Sequence, residues 1–353
     1  MKFKKAVILH NRVTADSPKD ELDVLVQADE VFKSLSELGY QPVTIPFSLD
    51  FAKNIRAIKK INPLFVFNLV ESIEGNGQLI HLAPALLDHL GLPYTGNSQE
   101  ATFVTSNKIL SKKLLQLAGI ATPPWLGAGN SRGSAELVAG TYLLKSVWEH
   151  ASNWFADDSI VHVDGEAELR RLLDKKNRNG RSGPPIQGDR GVGGHKPPPA
   201  VGAGRSGQFF AERYIGGREF NQAILTGEFL PPSEIRFIEF PDDKLRIVDF
   251  RAKWEEKSYE YTHTPRSFEF ADGDQPLLAE LRAVAGRCWD FFNLSGYARI
   301  DFRVDADNRP WVLEINTNPC LSPDGGFHAA AERIHLPFTR MVERIVNDCL
   351  SGR

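Results

Sequence analysis

Short apolar runs alternate with segments of helical periodicity through the first third of the chain. The runs with the length of a strand are residues 6–9, 43–47 and 64–70, and the segments with apolar side chains at helical spacing are residues 21–38 and 79–90. Gly39 and Gly91 directly follow the two helical segments, where glycine commonly ends a helix. Strands that alternate with helices in this way predict an α/β fold with an open parallel sheet.

The segment 297–319, YARIDFRVDADNRPWVLEINTNP, predicts a β-hairpin with one charged face. A four-residue loop would place Asp301 directly opposite Glu314. In the same register Arg299 faces Asn316, and the two-residue period of a strand puts all of these side chains on one face.

Two carboxylates that face each other across a hairpin require an explanation. Opposed like charges destabilise a sheet by roughly 0.2–1 kcal/mol, and a bound cation removes that cost. Carboxylate and amide oxygens are suitable ligands for Mg²⁺ held together with nucleotide phosphates. The spacing therefore leaves two interpretations open, a magnesium site or an ordinary solvated face of a hairpin.

Further strands and helices are predicted on both sides of one segment that has no periodicity. The strands are expected at residues 142–147, 209–215, 220–225 and 246–252, and the helices are expected from Lys108 to Gly119 and at residues 166–173, 280–292 and 338–350. Residues 177–208 are rich in glycine and proline and indicate an insertion, to which we assign no functional residue.

Composition excludes several classes of protein. The 353 residues allow two or three domains, and a formal net charge of −3 argues against a protein that binds the nucleic-acid backbone. Three scattered cysteines are too few for a disulfide framework or a zinc site. No apolar run approaches the ~20 residues of a membrane span, and the apolar run near Met1 is too short for a signal peptide. A cytoplasmic location without membrane or nucleic-acid partners is expected.

Several segments resemble D-alanine–D-alanine ligases of the ATP-grasp superfamily, and they occur in the same order. They are FNLVESIEGNGQ, GLPYTGNS, SNKILSKKLLQLAGIATPPW, FFAERYIGGREFN, VDFRAKW and ARIDF…VLEINTNP. The resemblance covers most of the chain except residues 177–208. It implies a three-domain α/β ATP-grasp fold with ATP bound between the second and third domains. The domains would be an N-terminal parallel-sheet domain at 1–106, a central lid domain at 107–211 that contains the insertion, and a C-terminal α+β catalytic domain at 212–353.

The same resemblance assigns ATP and Mg²⁺ (or Mn²⁺) as cofactors and gives roles to individual residues. The metal ligands would be Asp301, Glu314 and Asn316. The nucleotide would contact Lys108 and Lys145 through its phosphates, Glu212 and the backbone of Arg213 and Ile215 through adenine, and Glu219 through ribose. The catalytic residues would be Lys253 at the transferred phosphate, Arg299 at the tetrahedral oxyanion and Glu21 at the substrate amine. Each role has a plainer alternative: a surface lysine, a solvated glutamate or, for Arg299, an ion pair with Asp301 or Glu314.

Four positions depart from the family pattern. The serine that holds the first substrate is replaced by Ala151, and the tyrosine that bonds to this serine is replaced by Phe250. The serine that anchors the carboxylate of the second substrate is replaced by Gly325, and a glycine beside the oxyanion site is replaced by Cys320. These changes indicate a substrate pair that need not be two D-alanines.

The sequence therefore predicts an ATP-dependent carboxylate–amine ligase that acts through an acyl-phosphate and releases ADP and phosphate. Its substrates would be small molecules, either amino acids or peptides. Two alternatives stay open at this point: an ATP-grasp carboxylate kinase, and a degenerate nucleotide-binding module with a regulatory or scaffold role. The oligomeric state is also open, and a homodimer is one option.

Overall fold

The computed structural model describes residues 4–129, 131–148, 159–179, 209–242 and 244–352. The predicted insertion lies outside these ranges from residue 180 to residue 208, and Ala151 also lies outside them. The start of the predicted insertion, residues 177–179, is the end of a helix.

The elements follow the predicted alternation closely. The strands are β1 (Lys4–Asn11), β2 (Tyr40–Phe47), β3 (Phe65–Leu69), β4 (Trp125–Leu126), β5 (Val138–Ser146), β6 (Ile160–Gly165), β7 (Phe209–Arg213), β8 (Arg218–Leu225), β9 (Glu228–Phe229), β10 (Ser233–Ile235), β11 (Arg266–Ser267), β12 (Tyr297–Val304) and β13 (Pro310–Asn316). The α-helices are α1 (Lys19–Glu37), α2 (Phe51–Ile61), α3 (Leu82–Leu90), α4 (Gln99–Ser106), α5 (Lys108–Leu117), α6 (Glu166–Asn179), α7 (Phe250–Trp254), α8 (Tyr259–Thr262), α9 (Gln275–Phe291), α10 (Gly326–Glu332) and α11 (Phe338–Leu350). Across the described ranges, none of these helices has the length and apolar character needed to span a membrane.

The described residues form two compact units. The first unit contains the chain up to Thr122 and from Ile215 onward. The second contains residues between Pro123 and Val147 and the described residues from 159 to Tyr214. The boundaries of the compact units therefore differ from the predicted domain limits at residues 106 and 211, and the three-domain division remains a prediction.

The first unit begins with the predicted parallel sheet. Its strand order is β2-β1-β3, and β1 pairs in parallel with both neighbours. All five residues of β3 and most of β1 are buried, as expected for a strand covered on both faces. Helix α1 buries one stripe of side chains, which includes Val24, Val31 and Leu35, and these join the core around β1 and β3.

A second, antiparallel sheet completes the first unit. Its strand order is β11-β10-β8-β12-β13, with β9 paired to β8. Strand β12 lies between β8 and β13, and its apolar side chains pack against α9 in a separate core. The charged side chains of β12 are therefore carried by a strand that is hydrogen-bonded on both sides.

One predicted strand is wrong. Residues 246–252 do not form a strand, and the chain from Phe250 onward is the short helix α7 instead. The side chain of Asp249 accepts a hydrogen bond from the backbone N–H of Ala252 at 2.9 Å, which caps the start of this helix. The apolar spacing suggested a strand, but the local capping interaction favours a helical turn.

The described residues of the second unit form a four-stranded sheet and one helix. The strand order is β4-β7-β5-β6, and all of its pairs are antiparallel. Leu169 and Leu173 of α6 pack on Tyr142 and Val163 of the sheet. The side chain of Asn177 bonds to the backbone N–H and carbonyl of Phe209, so the last turn of α6 is fixed to the start of β7.

Gly217 lies where the chain enters the second sheet of the first unit, and no other residue fits there. Its φ is +106°, and a Cβ on its backbone would overlap the carbonyl oxygen of Val304.

We expect Gly217→Ala to lower the free energy of unfolding by about 2–4 kcal/mol, because the strain of a positive φ and the overlap with Val304 add. Gly227→Ala is the matched control, since Gly227 has φ +81° but open space around it. Equal urea midpoints for the two variants would contradict this explanation.

Candidate active site

The hairpin β12–β13 has the predicted register where the charged residues lie. Asp301 pairs with Glu314 and Arg299 pairs with Asn316. Beyond Asp301 the register shifts at a β-bulge, and the loop at the tip is five residues long instead of the predicted four. The shift places Val312 in the buried core, whereas Leu313 is only half-buried.

Asp301 is buried and held by two neighbours. Arg299 donates two hydrogen bonds to its carboxylate, from Nε at 2.7 Å and from Nη2 at 2.8 Å. Asn221 of β8 donates a third at 2.7 Å. The ion pair that was the plainer interpretation of Arg299 is therefore present, and it orients both side chains on the same face of the sheet.

Glu314 is paired with a different cation. The Nζ atom of Lys108, at the first residue of α5, lies 2.8 Å from its Oε2. The side chains of both residues are largely buried, and the two opposed carboxylates of the hairpin are thus each neutralised by a basic residue. The two carboxylates and their two basic partners together carry no net charge. Such a balanced group of charges is typical of a polar reaction centre.

The oxygen donors on this face fit a hard cation. Two carboxylates and the amide of Asn316 share the face, and the Oδ1 of Asn316 accepts a hydrogen bond from the backbone N–H of Asn318 at 3.0 Å. Across the described ranges, no cluster of three or more His, Cys, Asp or Glu side chains suitable for a metal is found. A cation here would therefore rely on two carboxylates, one amide oxygen and oxygens from a ligand.

Lys253 of α7 is half-buried near this centre. Burial lowers the pKa of its ammonium group, the charge of Glu314 opposes that shift, and the charge of Arg299 reinforces it. Lys253, the third lysine that was predicted to bind phosphate, therefore interacts electrostatically with the charged residues of the hairpin face.

Glu219 lies on β8 beside a buried arginine. Its Oε2 accepts a hydrogen bond from Nη1 of Arg303 at 3.1 Å, and burial raises the pKa of its carboxyl group against the effect of that arginine. Arg303 also donates to the carbonyl oxygen of Ile215 at 2.9 Å. Arg303 therefore links the carboxylate of Glu219, which was predicted to contact ribose, to the backbone of Ile215.

The second unit carries its own pair of predicted nucleotide residues. Lys145 of β5 lies with Nζ 2.5 Å from Oε1 of Glu212 on β7, and the Glu212 side chain is 2% exposed. The backbone N–H of Arg213 donates to the carbonyl of Pro124 at 2.8 Å, so it is already used within the sheet. If Arg213 contacts adenine, the interaction must come from its carbonyl oxygen.

Glu21, the predicted contact to the substrate amine, lies in the first turn of α1. Its Oε1 is 3.2 Å from the position that a Cβ on Gly75 would occupy, so the glycine of the 74–77 loop leaves room for this carboxylate. Burial and the neighbouring Asp20 raise the pKa of Glu21. An enclosed carboxylate near a second acidic side chain is suited to an ammonium group.

A hydrogen-bonded network that the sequence did not reveal holds the loop after β13. Asp23 accepts from the Ser322 hydroxyl at 2.8 Å and from the Cys320 thiol at 3.1 Å. The Nε2 of Gln27 donates to Asp23 at 3.1 Å and to Glu71 at 2.9 Å. Its own side-chain oxygen accepts from the backbone N–H of residue 321, also at 2.9 Å. Helix α1 therefore fixes the loop that follows Asn316.

The surroundings of Cys320 disfavour its thiolate form. Burial raises the pKa of its thiol well above the ordinary value, and the charges of Glu71 and Asp23 add to the effect. Cys320 also avoids the positive φ that would have strained a cysteine in place of glycine. The backbone at Cys320 therefore has a conformation that a residue with a side chain adopts without strain.

Glu71 gives a pH-dependent prediction. Burial raises its pKa to about 7, Gln27 opposes this, and Asp23 adds to it. The folded protein binds a proton on Glu71 more tightly than the unfolded chain, whose pKa is about 4.5. The stability that this proton contributes is fully present below pH 4.5 and is lost as the pH rises through 7. We expect Glu71→Gln to gain about 1–3 kcal/mol of stability relative to wild type between pH 5 and pH 8. Urea denaturation at both pH values measures this, and a pH-independent difference would refute it.

The sequence of the chain is similar to those of D-alanine–D-alanine ligases. Residues 204–347 match the family model described as D-ala D-ala ligase C-terminus. The D-alanine–D-alanine ligase of Synechococcus sp. strain JA-3-3Ab is 29% identical over 326 residues, which are 92% of this chain and 88% of that protein. The ligase of Moorella thermoacetica is 27% identical, with 95% of this chain and 97% of that protein covered.

Solved structures share the fold over the whole chain. The D-alanine–D-alanine ligase of Bacillus anthracis complexed with ATP superposes with a TM-score of 0.69 at 18% identity, covering 99% of this chain and 98% of that chain. D-alanyl-alanine synthetase A of Vibrio cholerae gives a TM-score of 0.67 at 16% identity, with 100% of both chains covered. The α/β architecture is that of the ATP-grasp class. Within that class, this chain is similar to D-alanine–D-alanine ligases.

Proposed function

We propose that the chain is an ATP-dependent ligase that joins a carboxylate to an amine through an acyl-phosphate. The observation that carries this proposal is the opposed pair of Asp301 and Glu314, each matched by a basic side chain on a buried hairpin face. The curated relatives that align with more than 90% of the chain and carry the name D-alanine–D-alanine ligase support it.

The reaction needs charge neutralisation more than it needs a covalent protein group. A carboxylate oxygen of the first substrate attacks the γ-phosphorus of ATP, and ADP leaves with the electrons of the broken bond. The amine of the second substrate then attacks the acyl carbon, and inorganic phosphate leaves. Phosphoryl transfer of this kind relies on alignment and on cations around the transferred group.

The first unit supplies the residues for the transferred group. Asp301, Glu314 and Asn316 are the proposed ligands of Mg²⁺ or Mn²⁺, which when bound would neutralise phosphate charge. Lys108 is 2.8 Å from Glu314 and would turn to a phosphate oxygen when that carboxylate binds a cation. Lys253 would contact the transferred phosphate, where its lowered pKa reflects an enclosed site.

The oxyanion and the substrate amine have separate proposed partners. Arg299, held in place by its two bonds to Asp301, would stabilise the tetrahedral oxyanion together with the backbone N–H near Cys320. Glu21 would bind the amino group of the first substrate. An arginine that is already oriented loses little conformational freedom when charge develops beside it, which favours the transition state.

The nucleotide base and ribose have proposed partners in both parts of the chain. The second unit would contribute Lys145 to the phosphates, and the Glu212 carboxylate and the Arg213 carbonyl to adenine. Ile215 and Glu219 of the first unit would contribute a backbone N–H and a ribose contact. The bonds from Arg303 to Glu219 and to the Ile215 carbonyl support their joint role.

The test is a screen of amino acids and small peptides for stimulated ADP release, with mass spectrometry of every mixture. A ligase yields a product whose mass is the sum of two substrates minus water. With an ¹⁸O-labelled acid, one label must appear in inorganic phosphate, because the carboxylate oxygen that bonded to phosphorus leaves with the phosphate when the amine displaces it. ATP turnover that gives neither a condensed product nor labelled phosphate would refute the proposal.

A further inference from the structure

Arg303 is a buried arginine that takes no direct part in the proposed reaction. It lies on β12, the strand that also carries Arg299 and Asp301, and its side chain is 5% exposed. The sheet places it opposite Glu219 of β8 on one side and opposite Trp311 of β13 on the other. A buried guanidinium is costly unless its N–H groups find acceptors, so the acceptors of Arg303 indicate what it does.

One acceptor is the carboxylate that is proposed to bind ribose. Nη1 of Arg303 donates to Oε2 of Glu219 at 3.1 Å, across the β8–β12 ladder. In the part of the chain that the structure describes, Oε1 of Glu219 has no hydrogen-bond partner. The arginine therefore holds the carboxylate by one oxygen and leaves the other for a hydroxyl donor, which is what a ribose contact requires.

A second acceptor lies on the segment that leads to Lys253. Residues 236–249 connect β10 to α7, the helix that carries this lysine. Nη1 of Arg303 also donates to the carbonyl oxygen of Arg246 at 2.9 Å, and the guanidinium lies 5.9 Å from the centre of the Phe237 ring. The segment is therefore attached to Arg303 at two points, one near each of its ends.

The remaining acceptors are backbone carbonyls just before β8. Nε of Arg303 donates to Ile215 at 2.9 Å, and Nη2 donates to Gly217 at 3.3 Å. An arginine can connect acceptors on several sides because its N–H groups point in fixed directions, whereas a lysine offers a single nitrogen. The guanidinium thus joins the chain that leads into Glu219 to the chain that leads into Lys253.

Glu219 and Lys253 also act on each other electrostatically. Burial raises the pKa of Glu219, and the charges of Arg303 and Lys253 oppose this shift. Burial lowers the pKa of Lys253, and the charge of Glu219 is among those that oppose it. The two carboxylate and ammonium groups are therefore close enough that the position of one affects the other, in addition to their connection through Arg303.

We propose that Arg303 is a positioning residue that couples the ribose hydroxyls of the nucleotide to the placement of Lys253. Hydroxyls bound to Glu219 hold its carboxylate in one arrangement, the carboxylate holds the guanidinium, and the guanidinium holds the segment 236–249. This assignment rests on the proposed function, in which Glu219 contacts ribose and Lys253 contacts the transferred phosphate, and it extends that function with a link between the two contacts. A nucleotide without ribose hydroxyls should then bind but order the segment less.

Hydrogen–deuterium exchange of the peptide that covers residues 244–254 measures this coupling, with Mg²⁺ and a saturating amount of either ADP or 2′,3′-dideoxy-ADP. In wild type we expect ADP to slow exchange by about fivefold or more, and the dideoxy nucleotide to slow it by less than about twofold. Arg303→Lys keeps a positive charge beside Glu219 but cannot connect the several acceptors, so it should bind ADP without the slowing. Arg309→Met is the matched control, since Arg309 lies on the same hairpin and stacks on Trp311 instead.

Equal slowing by the two nucleotides in wild type would overturn the assignment, and so would a full ADP effect in Arg303→Lys. Because exchange requires only ADP and Mg²⁺, its result does not depend on catalysis. Slowing that depends on ribose hydroxyls and on Arg303, without any condensed product or labelled phosphate, would refute the ligase function and leave the coupling in place. Product formation without such slowing would do the reverse, and a failure of ADP to bind would refute both.

Discussion

Glu314→Gln is expected to lower Mg²⁺-dependent ATP turnover by at least about 10²-fold while the fold remains intact. The substitution keeps the size of the side chain and its capacity to accept a hydrogen bond from Lys108, but it removes one of two carboxylates on the hairpin face. A loss of this size corresponds to about 2.7 kcal/mol of transition-state stabilisation, within the several kcal/mol that charge neutralisation by a metal contributes. Turnover at saturating ATP over a range of Mg²⁺ concentrations measures it.

The control for this variant is Glu228→Gln. Glu228 lies on β9 of the same sheet and pairs with Arg344 at 2.6 Å, so it is also a glutamate with a cationic partner. It is more exposed than Glu314 and lies away from the hairpin face, and its substitution should leave turnover within about twofold of wild type. If Glu314→Gln stays within threefold of wild type while its melting temperature is unchanged, the metal assignment is wrong.

The hairpin shows how far local pattern can predict a site. The pairing of Asp301 with Glu314 was predicted correctly from the two-residue period and from a turn rich in Asp and Asn. The bulge beyond Asp301 was not predicted, because the register of a strand beyond a bulge depends on how its side chains pack. Val312 is buried in the core with Phe302, and this packing determines the last three pairs.

Other parts of the fold required information that a local pattern does not contain. Helices α2 and α4 were not predicted, although Asp50 and Ser98 cap their first turns in the usual way. The predicted strand at residues 246–252 is partly the capped helix α7. In both cases short segments were decided by side chain–backbone hydrogen bonds, which compete with apolar spacing over so few residues.

The network around Glu71 is the clearest case of a site feature hidden from the sequence. Gln27 and Asp23 are four residues apart on α1, a spacing that puts them on one helix face. Their partners, Glu71 and the loop at Cys320, are distant in the chain and meet them only in the fold. The local signal was a glutamine among the mostly apolar buried residues of α1.

The substrate prediction concerns the subsite for the first acid. The family resemblance places two hydroxyl groups beside Glu21, and this chain has Ala151 and Phe250 in their place. Phe250 is half-buried at the start of α7, and Ala151 lies outside the described residues. Because both ends of one hydrogen bond are replaced by apolar groups, the fold loses little, whereas a small polar substrate loses the groups that would orient Glu21 toward its amine.

D-alanine as sole substrate is therefore expected to be joined at no more than about 1% of the rate of the best substrate pair, although ATP binding is intact. A site built with polar contacts can reject an analogue by ~10⁴, and a site without those contacts loses selectivity for the original ligand. Gly325 also lacks the side chain that would receive the carboxylate of the second D-alanine. Supplying D-alanine with each acid of the screen separates the two positions by the mass of the product. Formation of D-alanyl-D-alanine at ~10 s⁻¹, the median turnover of enzymes, would disprove this prediction.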